Sequence, residues 1–275
     1  MNFVTPKKRQ EWLGQAEDYA DIFLQKTKYV LPHLARLCLI STFIEDGIRM
    51  WMQWGQQRDY IMSSWNVGWF LGTVFVITNL FGQLIPCGMI LARKKTDIAC
   101  GILFFIIALQ SLAYRIIWEP RFMLRSLSLV GGLILLMVEN RKEARTLFAG
   151  VPTMHNNAPK NYMQLAGRIL LVIMFLTIVR LEFTFTSTLQ NIIGGICILF
   201  VAIGFKTKLS ALFLVIFLSI ANVYANRFWS VREHRALHDF LKYDFFQTMS
   251  VIGGLLFVVA LGPGGVSVDA RKKEW

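Results

Sequence analysis

The sequence predicts an all-α polytopic membrane protein of about eight transmembrane helices, arranged as two tandem four-helix units. Composition is the first indication: of 275 residues, 55% are hydrophobic and only 17% charged, with a mean hydropathy of +0.49. Soluble domains run at about 45–50% apolar and about 25% charged. The second is spacing, because the apolar residues fall in windows of roughly 20, the length a helix needs to cross roughly 30 Å of hydrocarbon. The third is physical exclusion. Open strands leave backbone groups unpaired, and a bilayer offers them no partner.

Taken in order, residues 1–30 are polar and charged and read as a cytosolic N-terminal segment. No cleavable apolar stretch precedes the first window, so that helix is expected to serve as its own insertion signal. The first unit, 31–139, holds windows at about 31–54, 65–91, 97–118 and 122–139. Its third and fourth windows are joined by little more than Glu119-Pro120-Arg121, which predicts a tight helical hairpin. A polar cytosolic linker, 140–161, leads to the second unit, 162–263, with windows at about 162–181, 188–205, 208–228 and 245–263. A short cytosolic tail, 264–275, closes the chain.

Internal similarity supports the division into units. Val130–Leu135 (VGGLIL) recurs as Ile252–Phe257 (IGGLLF), and Leu34–Leu37 (LARL) resembles Leu165–Arg168 (LAGR). Both units would start on the same side of the membrane, so the repeats are parallel. Paired glycines let helix backbones approach closely, which is where membrane helices touch.

Orientation follows from the basic residues, which favour the cytosolic side. Seventeen Lys and Arg lie on the side of the termini, including Arg93-Lys94-Lys95, Lys206 and Lys208, and Arg271-Lys272-Lys273. Five lie opposite: Arg58, Arg121, Arg232, Arg235 and Lys242. Both termini are therefore predicted to be cytosolic. The net charge of +12 and pI near 9.8 would point to nucleic acid in a soluble protein, but these charges sit in short loops between apolar runs, so nucleic-acid binding is excluded. Cys38, Cys87, Cys100 and Cys197 all fall within apolar windows without a CxxC pair, which predicts packing residues and no disulfide framework or metal site. No Asn-x-Ser/Thr sequon is present, so no glycan is expected.

The first window is the most unusual. It carries Arg36, Glu45, Asp46 and Arg49, with His33 at its entry, although a charge at the bilayer centre costs about 2.5–3.5 kcal/mol on insertion scales. Glu45 and Asp46 stand four and three residues before Arg49, so both carboxylates can reach one guanidinium on a helix. Two readings stay open: an ion-pair cluster that holds helices in register, or a lumenal acidic pocket able to capture a cationic group such as a free N-terminal amine. Asp59, Tyr60 and Trp65, just beyond this window, and Asp239 and Asp244, just before the last, lie on the same side and complete the candidate binding set. The aromatics there, with Trp118 and Trp229, read either as an interfacial belt or as a rim for an apolar side chain of a bound peptide.

The longest lumenal connection, from about Trp229 to Asp244, contains His234 and His238. They are solvated loop residues or a pair titrating between neutral and mildly acidic compartments. Zinc would need a third clear ligand. No cofactor is indicated and the common catalytic motifs are absent, so an enzyme is not expected.

The carboxyl end, Lys272-Lys273-Glu274-Trp275, places lysines fourth and third from the terminus. It resembles the dilysine signal read by coatomer, which returns membrane proteins from the Golgi to the endoplasmic reticulum, an address and not an anchor. Longer strings carry a wider likeness: Ala35–Trp51 (ARLCLISTFIEDGIRMW), Phe148–Met154 (FAGVPTM), Val201–Lys208 (VAIGFKTK) and His238–Ser250 (HDFLKYDFFQTMS). They resemble the Surfeit locus protein 4 family, from about Ala16 to the end, departing mainly at Met1–Gln15 and Ser230–Leu237.

The resemblance implies a cargo receptor in the membranes of the endoplasmic reticulum, intermediate compartment and Golgi. Such a receptor binds soluble secretory proteins in the lumen, loads them into export-coated vesicles and is retrieved through Lys272 and Lys273. It further implies recognition of cargo partly through its newly exposed N-terminal residues. Gly262–Asp269 (GPGGVSVD) also resembles the closing motif of bacterial DoxX-like four-helix membrane proteins, in keeping with duplication. Two other classes compete. A small-solute or lipid transporter would use the intramembrane charges as its path. A membrane oxidoreductase would need haem or quinone ligands, and His33 is isolated in the sequence.

Overall fold

The computed structural model describes residues 29–115, 118–147, 164–170, 185–231 and 236–262, with single positions or short runs at 15, 22, 25–27, 162, 172 and 267. Among these, every regular element is helical. In chain order they are α1 (Val30–Met52), α2 (Trp54–Trp65), α3 (Trp69–Leu91), α4 (Thr96–Ala113), α5 (Pro120–Leu147), α6 (Phe185–Ile203), α7 (Thr207–Ala225) and α8 (Ala236–Leu261), with a 3-10 turn at Phe228–Ser230. Residues 164–170 are helical too, so helix is found in each of the eight expected windows.

Among the described residues, five helices are long and apolar enough to cross a bilayer: Trp69–Leu91, Thr96–Ala113, Phe122–Arg141, Thr207–Ser230 and Leu237–Leu261. α1, at 23 residues, would span about 34 Å at the α-helical rise, but its charges lower its hydropathy. Its exposure pattern explains how it is tolerated. Arg36 (1%) and Glu45 (4%) are buried, while Leu34, Leu37 and Ile48 are exposed at 45–48%. The polar face thus points into the bundle and the apolar face points out, the arrangement a hydrocarbon solvent demands. The exterior of α3 and α4 is likewise apolar, with Phe81, Ile85 and Phe105 all more than half exposed.

Three boundaries differ from expectation. α2 occupies the connection between the first two windows, ending at Asn66 in the left-handed conformation (φ 51°), a common helix stop. α5 runs past residue 139 to Leu147, into the segment expected to be a polar linker. α8 begins at Ala236, not near residue 245, so Asp239, Lys242 and Asp244 ride on a helix and not on a lumenal loop. The reason is the same for the last two: a hydropathy window stops at the first charges, whereas a helix continues while backbone bonding and side-chain partners permit.

α8 is the central helix. Two thirds (67%) of its apolar window is buried, against 39–44% for the other four, and its most extensive packing partner is α1. Side chains stitch the pair: Thr42 Oγ1 donates to the Phe246 carbonyl (2.8 Å) and Ser250 Oγ to the Leu39 carbonyl (2.9 Å). Gly253 makes the approach possible, since a methyl group there would meet the Leu39 backbone nitrogen and lie 2.7 Å from the Ala35 carbonyl. Gly131 of α5 faces Gly167, and a methyl group on either would lie 3.2–3.3 Å from the other's carbonyl and closer still to Leu170 or Leu135. The last helix therefore packs on the first, and the fourth window on the fifth.

The turns match as well. Lys95 and Lys206 both adopt positive φ (49° and 45°) immediately before a buried Thr, Thr96 and Thr207, that opens the next helix.

Because Gly253 abuts backbone rather than a movable side chain, Gly253→Val is expected to lower stability by at least the roughly 1–3 kcal/mol typical of overpacking. Gly101→Ala, with open space around its Cβ, is expected to be neutral or slightly stabilising, as removing a helical glycine usually is. Thermal unfolding of the purified protein in detergent checks both.

Candidate functional site

The charged turn of α1 lies at the end of the bundle where α1 and α4 finish and α5 and α8 begin, the end predicted to face the lumen. Helical spacing divides its two carboxylates between different neighbours. Asp46 faces α3 and α4 and is fully engaged: Arg49 Nη2 donates to Oδ1, while Gln83 Nε2 (2.6 Å) and Gln110 Nε2 (2.7 Å) donate to Oδ2. One carboxylate thereby ties three helices together. Bonds of this charge-assisted kind are the strong ones.

Glu45 faces α8 and is served poorly. Arg49 Nε and Lys242 Nζ each lie 3.8 Å from Oε1, the side chain is only 3% exposed, and buried Oε2 accepts no hydrogen bond. Behind it, Arg125 Nη1 of α5 pairs with Asp244 Oδ1 of α8 at 2.7 Å. The Tyr243 ring packs against both the Arg49 and Arg125 guanidinium groups, at 5.9 and 5.7 Å from its centroid. Asp239, on the surface, meets Gln53 Nε2 and His238 Nδ1, both at 3.4 Å. Counting Glu45, Asp46, Asp239 and Asp244 against Arg49, Arg125 and Lys242, carboxylates outnumber permanent cations by one.

The remaining candidates are divided. Tyr60 stacks on Tyr114 at 5.5 Å, and the Tyr114 hydroxyl donates to Gln57 Oε1 at 2.8 Å. Trp65 is a strut, its Nε1 donating to the Ala113 carbonyl at 2.8 Å while Arg115 covers its ring. Asp59 is turned to solvent and bonded to the adjacent Arg58. Asp244 belongs to the interhelical pair with Arg125, not to an open loop. His238 sits on α8 beside the Phe228 ring, 5.8 Å between centroids, with a side chain only 13% exposed. It is therefore not a solvated loop histidine. His234, Lys272 and Lys273 lie outside the described residues.

At the opposite end, Arg36 Nη2 bonds Glu139 Oε2 of α5 at 2.5 Å, both buried. Arg93 Nη2 lies 2.7 Å from His33 Nε2. Sequence reasoning passed over Gln83, Gln110, Tyr243 and Glu139, and treated Lys242 only as a loop charge. Two glutamines deep in apolar windows were a usable signal, because a neutral amide in hydrocarbon also needs a partner.

The family model described as the SURF4 family matches residues 10–275. The chain belongs to the SURF4 family. A Surfeit locus protein 4 homolog of Drosophila melanogaster is 56% identical over 265 residues, covering 96% of this chain and 98% of that protein. One of Schizosaccharomyces pombe is 37% identical over 278 residues, covering 98% and 91%. The ER-derived vesicles protein ERV29 of Saccharomyces cerevisiae is 36% identical over 250 residues, covering 90% and 79%. No solved structure matches the chain.

In this SURF4-family chain the two neighbouring carboxylates have different duties. Asp46→Asn turns one acceptor oxygen into a donor facing the donors of three helices. It is expected to cost at least about 1–3 kcal/mol, the penalty of an unsatisfied buried group, while Asp59→Asn stays within about 0.5 kcal/mol, as exposed substitutions do. Detergent-phase unfolding of the two variants distinguishes them.

Proposed function

We propose that this chain is a cargo receptor that cycles between endoplasmic reticulum and Golgi, binding soluble secretory proteins on the lumenal side and carrying them into coated vesicles. The observation that carries this reading is the buried Glu45 carboxylate, one oxygen of which accepts no hydrogen bond while the part-exposed Lys242 lies 3.8 Å from the other. A site of that kind suits a cationic group on a protein chain, and an N-terminal amine is the one that every processed secretory protein exposes. The relative named as an ER-derived vesicles protein supports the compartment. The side of the coats follows from charge: an even number of crossings would keep both termini on one side, and the excess of Lys and Arg there favours the cytosol, where coatomer and the export coat would meet the Lys272-Lys273 tail.

In cells depleted of the protein, wild-type chain is expected to restore secretion of soluble cargo, and Glu45→Gln to restore it incompletely despite normal membrane insertion. The secreted proteome reads both. Full rescue by Glu45→Gln would remove the pocket, and normal secretion with altered solute flux after depletion would favour a transporter. Replacing Lys272 and Lys273 by serine is expected to move the steady-state distribution forward to the Golgi, seen by immunofluorescence; unchanged residence would remove the retrieval signal.

A further inference from the structure

We propose that Glu45 Oε2 is a seat for a ligand's primary ammonium, and that Lys242 is a tethered competitor which occupies the carboxylate until that ligand arrives. This rests on the pocket reading above and adds a residue that sets its affinity. The geometry of the buried and part-buried carboxylates carries it. Asp46 has three donors, and Asp244 and Glu139 have partners at 2.7 and 2.5 Å. Glu45 alone among these four is held only by two contacts at 3.8 Å, both to the same oxygen, with the second oxygen vacant and the side chain 3% exposed. An ionised carboxylate taken so far from water requires pairing, and the pairing here is loose.

The two neighbouring cations differ in their freedom to leave. Arg49 is bonded to Asp46 and lies against the Tyr243 ring. Lys242, on the outer turn of α8 with its side chain 27% exposed, is a compact charge on a flexible four-carbon stem. It can swing to solvent without disturbing another pair.

A ligand ammonium has the same charge and the same three donors as the lysine head, so the exchange leaves the charge of the cluster unchanged. It also gains the bond to Oε2. Asp239, three residues before Lys242 on α8 and nearly half exposed, adds negative potential beside it. Two sources share this chemistry: the α-ammonium of a polypeptide and the side chain of a ligand lysine.

The test uses full-length protein in nanodiscs and three pools of randomised tetrapeptide amides: free N-terminus without lysine, N-acetylated without lysine, and N-acetylated ending in lysine. Retained peptide is measured by mass spectrometry. Wild type is expected to retain an ammonium-bearing pool over the acetylated lysine-free pool, and whichever such pool is favoured identifies the source. Lys242→Gln is expected to raise that retention about twofold to fivefold, the factor that follows from losing one partly exposed ion-pair competitor. Lys242→Arg, which keeps a charge in place, is expected to resemble wild type, and Glu45→Gln to abolish the preference.

Retention unchanged or weakened in Lys242→Gln, with the preference still dependent on Glu45, would overturn the competitor and leave the pocket standing. No preference in wild type or in Lys242→Gln would overturn seat and competitor together. The secretion phenotype of cells depleted of the protein, measured separately, would still decide the receptor reading.

Discussion

The structure depends on one requirement: the charges on α1 must be neutralised inside the bundle, because the surrounding hydrocarbon will not solvate them. That requirement turns the helix so that Leu34, Leu37 and Ile48 face outward and Arg36 and Glu45 inward. It then dictates neighbours. Arg36 calls for an acid and meets Glu139 of α5; Asp46 calls for donors and meets the amides of α3 and α4; Glu45 looks toward α8. A helix that would be poor at crossing a membrane alone becomes the element around which others assemble.

Close backbone packing makes this enclosure possible. Gly253 brings α8 against α1, and Gly131 with Gly167 brings the fourth and fifth windows together. Apolar side chains gain little from meeting each other within lipid, so small residues and interhelical hydrogen bonds take on much of the specificity. The interlocking of first with last and fourth with fifth windows means that the proposed units would not be independent bundles, even if they arose by duplication.

Within the polar end of the bundle, structure and function separate at adjacent residues. Asp46 has its hydrogen-bonding capacity filled by three helices and works as a joint. Glu45, one position before it and about 100° around the helix, is more deeply buried yet underserved. A carboxylate held by distant cations with a free oxygen is poised for exchange in a way that a saturated one is not. The same contrast separates Asp244, locked to Arg125, from Asp239, open at the surface.

Much of this was legible from residue order. Apolar windows near bilayer length located the helices, and the spacing of Glu45, Asp46 and Arg49 foretold their pairing, because turn geometry is local. The extra helix α2, the early start of α8 and the extension of α5 were not legible, since hydropathy averages away charges that the fold neutralises. Nor were Gln83, Gln110, Glu139 and Lys242, whose partners lie 37 to 197 positions away along the chain. Local periodicity determined which residues share a helix turn. Only the packing of α8, α3 and α4 around α1 decided which carboxylate would be satisfied and which left open, because that depends on distances between helices that no short-range pattern encodes.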